Sequence, residues 1–237
     1  MNRRNSPVGL LALLLLFSVA TRLSAQDNYL PQLIKRVKPS VVAIATYDDQ
    51  NKLLMTGSGF FLRPGQVVTN LHVIEGAARV EIRTFEAKPH TYRVDGVSGL
   101  DEEGDIALLQ VAAPAERNRP LEMAESLPDE GERIFVIGNP LRLEGSVADG
   151  IVSAIREVPN LGSVVQITAP ISPGNSGSPL FNDRGQVIGV VTIKVANAQN
   201  INLALGSKRV LQLQPEKLRS FAEVAAGRNG TRPRSEA

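Results

Sequence analysis

The stretch Pro173-Gly174-Asn175-Ser176-Gly177-Ser178-Pro179 sets a hydroxyl in a tight, glycine-rich loop. A serine hydroxyl is a poor nucleophile until a base removes its proton. Acyl transfer also needs N–H donors aimed at the oxyanion that develops. Glycines let the backbone turn its N–H groups inward, so Gly174, Asn175 and Ser176 are the candidate donors of an oxyanion hole. Alone, such a loop is equally compatible with a plain connection between strands. A base is available in Thr69-Asn70-Leu71-His72-Val73-Ile74, where His72 stands directly after an apolar run. The chain has two histidines, and the other, His90 in Lys88-Pro89-His90-Thr91, reads as a surface residue. An acid is available in Gly104-Asp105-Ile106-Ala107-Leu108-Leu109, at the mouth of an apolar run. A carboxylate there needs a partner, and the Nδ1–H of a histidine is a natural one. Taken singly, Asp105 also reads as a turn cap.

These segments need a scaffold of strands. Leu30, Leu33, Ile34 and Val37 have helical spacing, closed by Pro39. From Ser40 the pattern changes to short β-branched runs at 41–45, 59–62, 66–69, 79–82 and 106–109. A Pro- and charge-rich connection spans 112–131. A second set follows at 133–137, 145–155, 164–167, 179–181, 187–191 and 202–205, with a tight turn at Asn182-Asp183-Arg184-Gly185. Two sets of short strands predict an all-β fold of two antiparallel barrels, the first over about 40–112 and the second over about 131–206. Residues 207–226 read as helical, interrupted or restarted at Pro215, so short helices flank the barrels at both ends. Residues 227–237 read as a disordered polar tail. Its Arg228, Arg232 and Arg234 suit either solvent or an anionic partner.

Composition narrows the function classes. Residues 1–25 have a basic start (Arg3, Arg4), an apolar run from Val8 to Ala20 and small residues Ser24 and Ala25, the grammar of a secretory signal cleaved after Ala25. The apolar run is short for a membrane span, which makes an uncleaved anchor the lesser alternative. Export to the periplasm or the medium is the expectation. Without Arg3, Arg4 and Arg22 the formal charge falls from +2 to −1. With aromatics at 4% and no Trp, there is little to bind or stack nucleic acid. The absence of Cys excludes a thiol nucleophile and a thiolate metal site. No H-E-x-x-H, Walker or dinucleotide motif occurs, so neither metal nor cofactor is expected.

The order His72, Asp105, Ser176 is that of the chymotrypsin-like triad. The chain further resembles the protease domain of the HtrA/DegP family, trypsin-like serine proteases, over about residues 28–212. The resemblance rests on Gly57-Ser58-Gly59-Phe60, Thr69-Asn70-Leu71-His72-Val73, Asp105-Ile106-Ala107-Leu108-Leu109, Ile137-Gly138-Asn139-Pro140, Gly150-Ile151-Val152-Ser153 and Pro173-Gly174-Asn175-Ser176-Gly177. It implies two six-stranded barrels, Ser176 as nucleophile, His72 as general base and then acid, and Asp105 as its orienter. It implies polypeptide substrates, unfolded or damaged ones among them, in envelope quality control.

Counting back from Ser176 to the position at the base of that superfamily's S1 pocket gives Pro170, with Ile171 beside it. The opposite wall is expected from Val190, Val191, Thr192 and Ile193, which predicts cleavage after aliphatic residues. Lys194, swung over the mouth, would admit some acidic ones. Val190 and Val191 speak against a glutamate-specific enzyme. A protease-like scaffold without catalysis is the alternative from another class. It normally lacks a triad member, and here all three stand. Ser178 replaces the family's usual Gly, and Thr168-Ala169-Pro170-Ile171-Ser172 replaces its usual Asp-Ala-Ala-Ile-Asn. No PDZ-like stretch follows, so the resemblance gives no expectation of peptide gating. The family's homotrimer is an open possibility.

Overall fold

The computed structural model describes residues 29–143, 145–192 and 202–231. The expected signal segment, its cleavage site, Ile193 and Lys194 lie outside the described residues. Helix α1 (Tyr29–Val37) carries Lys35 and Arg36 in its last turn, where cations complement the partial negative charge of a helix C-terminus. Pro39 lies in the short 3-10 turn that follows, Lys38–Ser40.

The first barrel comprises β1 (Val41–Tyr47), β2 (Leu53–Arg63), β3 (Gln66–Asn70), β4 (Arg79–Thr84), β5 (Thr91–Asp101) and β6 (Ile106–Val111). It closes in the order β1-β2-β3-β6-β5-β4. The second comprises β7 (Arg133–Gly138), β8 (Ser146–Val158), β9 (Gly162–Ile167), β10 (Pro179–Asn182), β11 (Val187–Thr192) and β12 (Asn202–Gly206). Its order, β7-β8-β9-β12-β11-β10, repeats that of the first, and all strand pairs are antiparallel. Closure leaves no open sheet edge. Two closed six-stranded antiparallel barrels are the chymotrypsin-like fold.

Each barrel is filled by aliphatic side chains from alternate strand positions. Val42, Ile44, Val67, Ile82, Val97 and Leu109 pack inside the first; Val136, Val152, Val165, Ile167, Leu180 and Val191 pack inside the second. One pair of rings meets across two strands of the second barrel. Phe135 on β7 stands directly opposite Phe181 on β10, with ring centroids 4.8 Å apart and planes 14° from parallel. Such a pair adds ~0.5–1.5 kcal/mol beyond its buried area.

The sequence pattern passes over β5. Its interior holds Asp95, Gly96 and Gly99, residues depleted in strands. The register shifts between Val94 and Gly96 and again between Val97 and Gly99. The reason for the glycines is tertiary. The segment after α2 (Ser207–Gln212) returns to the first barrel and bridges β5, with Val97 N–H donating to Arg219 O at 2.8 Å and Arg219 N–H donating back at 2.9 Å. A Cβ on Gly96 would stand 2.5 Å from Arg219 O. Helix α3 (Phe221–Thr231) then packs Phe221 and Val224 against the core of the first barrel. It corrects the expected start of the polar tail, since residues 227–231 continue this helix.

Candidate active site

His72 and Asp105 meet because of strand register. β3 pairs with β6 so that Asn70 lies opposite Ile106. The residue before Ile106 therefore faces the chain as it leaves β3, where Leu71–Ile74 form a single 3-10 turn. Asp105 O accepts from Leu71 N–H at 2.9 Å and from the Asn70 amide at 3.0 Å. Its carboxylate accepts from His72 twice: Oδ1 from the backbone N–H at 2.9 Å, and Oδ2 faces the ring Nδ1 at 2.6 Å. With Nδ1 protonated, the ring leaves Nε2 as the acceptor. Asp105 has φ 57°, a left-handed conformation that costs an L-residue about 1–2 kcal/mol. Its side chain is 7% exposed and that of His72 is 23%, so the acid is enclosed and the imidazole opens to the surface.

The loop of Ser176 is fastened to the first barrel beside that turn. Ser176 O accepts from Ser58 N–H at 2.8 Å. A Cβ placed on Gly57 would touch Val73, next to His72, at 2.7 Å and Ser176 O at 3.2 Å. Gly174 and Gly177 hold φ of 100° and 84°, conformations that favour glycine. Gly177 also has no room for a side chain, since a Cβ there would meet Thr69 Oγ1 at 2.5 Å. Toward the second barrel, Gly177 N–H donates to Val191 O and Val191 N–H to Ser178 O, each at 2.9 Å. The loop is thus held from both barrels at once.

Among the described residues, the N–H groups of Gly174 and Ser176 have no protein acceptor, as two donors kept for an incoming oxygen would. Asn175 differs from expectation. Its N–H donates to Ser172 O at 3.0 Å as part of a turn, which leaves Gly174 and Ser176 as the available pair. Ser58 Oγ supports them from behind, donating to Gly174 O at 2.7 Å and accepting from Asn139 N–H at 3.0 Å.

Ser58, Asn70 and Asn139 were not singled out as site residues in the sequence. Each stands within one of the motifs quoted above, and their exposures in the structure are 0%, 0% and 3%. Ser58 Oγ and the Asn70 NH₂ group are hydrogen-bonded there, while Asn70 Oδ1 and Asn139 Oδ1 have no partner among the described residues.

The expected pocket residues differ in exposure. Pro170 is exposed, and Ile171 and Thr192 are half-buried. Val190 and Val191 are fully buried, and the Val191 side chain packs in the core of the second barrel. The Val191 backbone is bonded to the nucleophile loop, and Ile171 packs against the same core cluster. Among the described residues no cluster of His, Asp and Glu is arranged to hold a metal, and no helix is long and apolar enough to cross a membrane.

The arrangement can carry acyl transfer: a hydroxyl, a base with a buried acid behind it, and two unengaged N–H donors. Residues 57–190 match the family model described as a trypsin-like peptidase domain. The zebrafish serine protease HTRA1A is 32% identical over 222 residues, which cover 87% of this chain and 44% of that protein. A DegP-like protein of Hahella chejuensis, named as a periplasmic serine endoprotease, is 39% identical over 139 residues, 57% of this chain and 29% of its own length. The crystal structure of Deg5 superposes with a TM-score of 0.69 at 29% identity, covering 79% of this chain and 92% of Deg5. The chain thus spans less than half the length of these two sequence relatives. It belongs to the trypsin-like peptidase family, and its relatives are serine proteases of the HtrA/DegP type.

Proposed function

We propose that this chain hydrolyses peptide bonds of unfolded or damaged polypeptides through Ser176, His72 and Asp105. The observation that carries the reading is the doubly bonded His72–Asp105 pair, whose imidazole stays partly exposed while the acid is enclosed. Ser176 Oγ attacks the scissile carbonyl carbon while its proton passes to His72 Nε2. The carbonyl oxygen becomes an oxyanion between the N–H groups of Gly174 and Ser176. Collapse breaks the C–N bond, and the imidazolium returns the proton to the leaving amine. Water then attacks the acyl-enzyme by the same relay, and the product acid leaves with Ser176 restored. A phosphonofluoridate probe tests the reading. Stoichiometric labelling at Ser176 is expected, and absence of labelling in the folded chain would instead favour a scaffold without catalysis.

Substrate selection falls to Pro170, Ile171 and Thr192, the expected pocket residues that keep some exposure. None is titratable. A Lys, Arg, Asp or Glu side chain would be stranded there without a partner, while an aliphatic one loses no hydrogen bond. The preference is therefore firm against charge and loose among aliphatics, where one methylene is worth only ~1–3 kcal/mol. Digestion of a reduced, unfolded protein should give new C-termini ending mostly in Val, Ala, Ile or Leu. A majority ending in Lys, Arg, Asp or Glu would overturn this pocket while leaving the triad untouched.

The signal-like composition of residues 1–25 and the periplasmic Hahella relative support an exported enzyme acting in envelope quality control. N-terminal sequencing of native material should find processing near Ala25–Gln26, and intact Met1 forms in the cytoplasm would count against export.

A further inference from the structure

Arg209 lies in α2, beyond the second barrel, yet its partners include the turn that carries Asp105. Its Nη2 donates to Asp101 Oδ1 at 2.6 Å and stands 3.6 Å from Glu103 Oε2. Its Nε donates to Asp101 Oδ2, and its Nη1 to the backbone carbonyl of Asn160, in the turn between β8 and β9. One guanidinium thereby joins three elements: the 101–105 turn of the first barrel, the β8–β9 turn of the second, and α2. The fork geometry of arginine suits such multiple capture, whereas a lysine offers a single point charge.

Asp101 in turn braces the backbone ahead of Asp105, its Oδ1 accepting from Gly104 N–H at 2.9 Å. The brace is close-packed. A Cβ on Gly104 would stand 2.8 Å from Arg209 Nε. By contrast, the turn's own closing bond, Asp105 N–H to Glu102 O, is long at 3.4 Å. Asp105 holds its left-handed φ of 57° at the end of this turn. Strained conformations persist where the surroundings over-determine them. Burial pushes the Asp101 carboxyl up, but hydrogen bonds from Arg209 and Gly104 and the charge of Arg209 outweigh it and hold it below its ordinary range. The pair is ionised at neutral pH.

We propose that Arg209 is a positioning residue for the reaction: through Asp101 it holds the turn in which the Asp105 carboxylate can accept both His72 N–H groups. It never touches substrate. The role rests on the triad reading above, and Ser176→Ala keeps the two claims separable. In the full chain, Arg209→Met should lower kcat on an unfolded protein substrate by about 10–100-fold, as a misplaced catalytic group does, with KM little changed. The low-field proton resonance of His72 Nδ1–H should broaden or vanish, a change that loss of stability alone does not produce in the folded enzyme. Arg209→Lys, which keeps the charge but not the fork, should recover only part of both. If Arg209→Met does not fold, Asp101→Asn serves with the same expectations, since it keeps the side-chain shape and removes the charge. A kcat within about twofold of wild type, with the resonance intact and Ser176→Ala inert, overturns the positioning role alone. Normal turnover by Ser176→Ala overturns the triad reading, and the positioning role with it.

Discussion

Ser176→Ala is expected to lower turnover of an unfolded polypeptide by about 10⁶-fold, and His72→Ala by a similar factor, because such residues act as one unit. The change at Ser176 is confined to one oxygen. Ser58 N–H still donates to the backbone carbonyl of residue 176, and Gly177 N–H still donates to Val191 O, so the loop keeps its shape. The oxyanion donors are backbone groups and also remain, which leaves a residual acceleration of roughly 10³–10⁴ over water from the hole and from binding. The double variant should therefore be little slower than either single one. Near-normal proteolysis by Ser176→Ala, with folding verified by circular dichroism, would remove Ser176 from the mechanism.

Asp105→Asn should cost roughly 10⁴-fold in kcat with the fold retained. The reason lies in the two bonds that the carboxylate accepts. Oδ1 takes the backbone N–H of His72 at 2.9 Å, and Oδ2 faces Nδ1 at 2.6 Å. An amide has one acceptor oxygen. If that oxygen keeps the backbone N–H, the NH₂ group turns toward Nδ1 and selects the ring tautomer protonated on Nε2. That tautomer has no lone pair with which to take the Ser176 proton. Nitrogen-15 shifts of the imidazole report the tautomer directly, alongside the rate. A loss of less than about tenfold would mean that Asp105 does not orient the base.

The parts of this site carried by local chemistry were legible without coordinates. A glycine-flanked Ser176, a His72 at a strand end and an Asp105 before an apolar strand each show in a window of a few residues. Most strands were legible for the same reason, since β-branched alternation follows from which face is buried. β5 was not, because its Gly96 and Gly99 answer to a segment more than a hundred residues later that bridges across it. Local propensity cannot report a contact made at that distance. The polar tail was placed too early by the same limitation: Val224, early in α3, is anchored by the core of the first barrel rather than by any pattern in the polar residues that follow.

The sequence alone determined the chemistry on offer, a hydroxyl, an imidazole and a carboxylate in a fixed chain order, and the two sets of strands available to hold them. The tertiary structure decided how they are aimed. The β3–β6 register turns Asp105 onto both N–H groups of His72, and Ser58 ties the Ser176 loop to the opposite barrel. It also gave the Asn175 N–H to Ser172 O, which leaves Gly174 and Ser176 as the unengaged donors. Residue types set which bonds can form. Which of them do form depends on closing two barrels whose strands pair across long stretches of chain, and only the folded backbone contains that information.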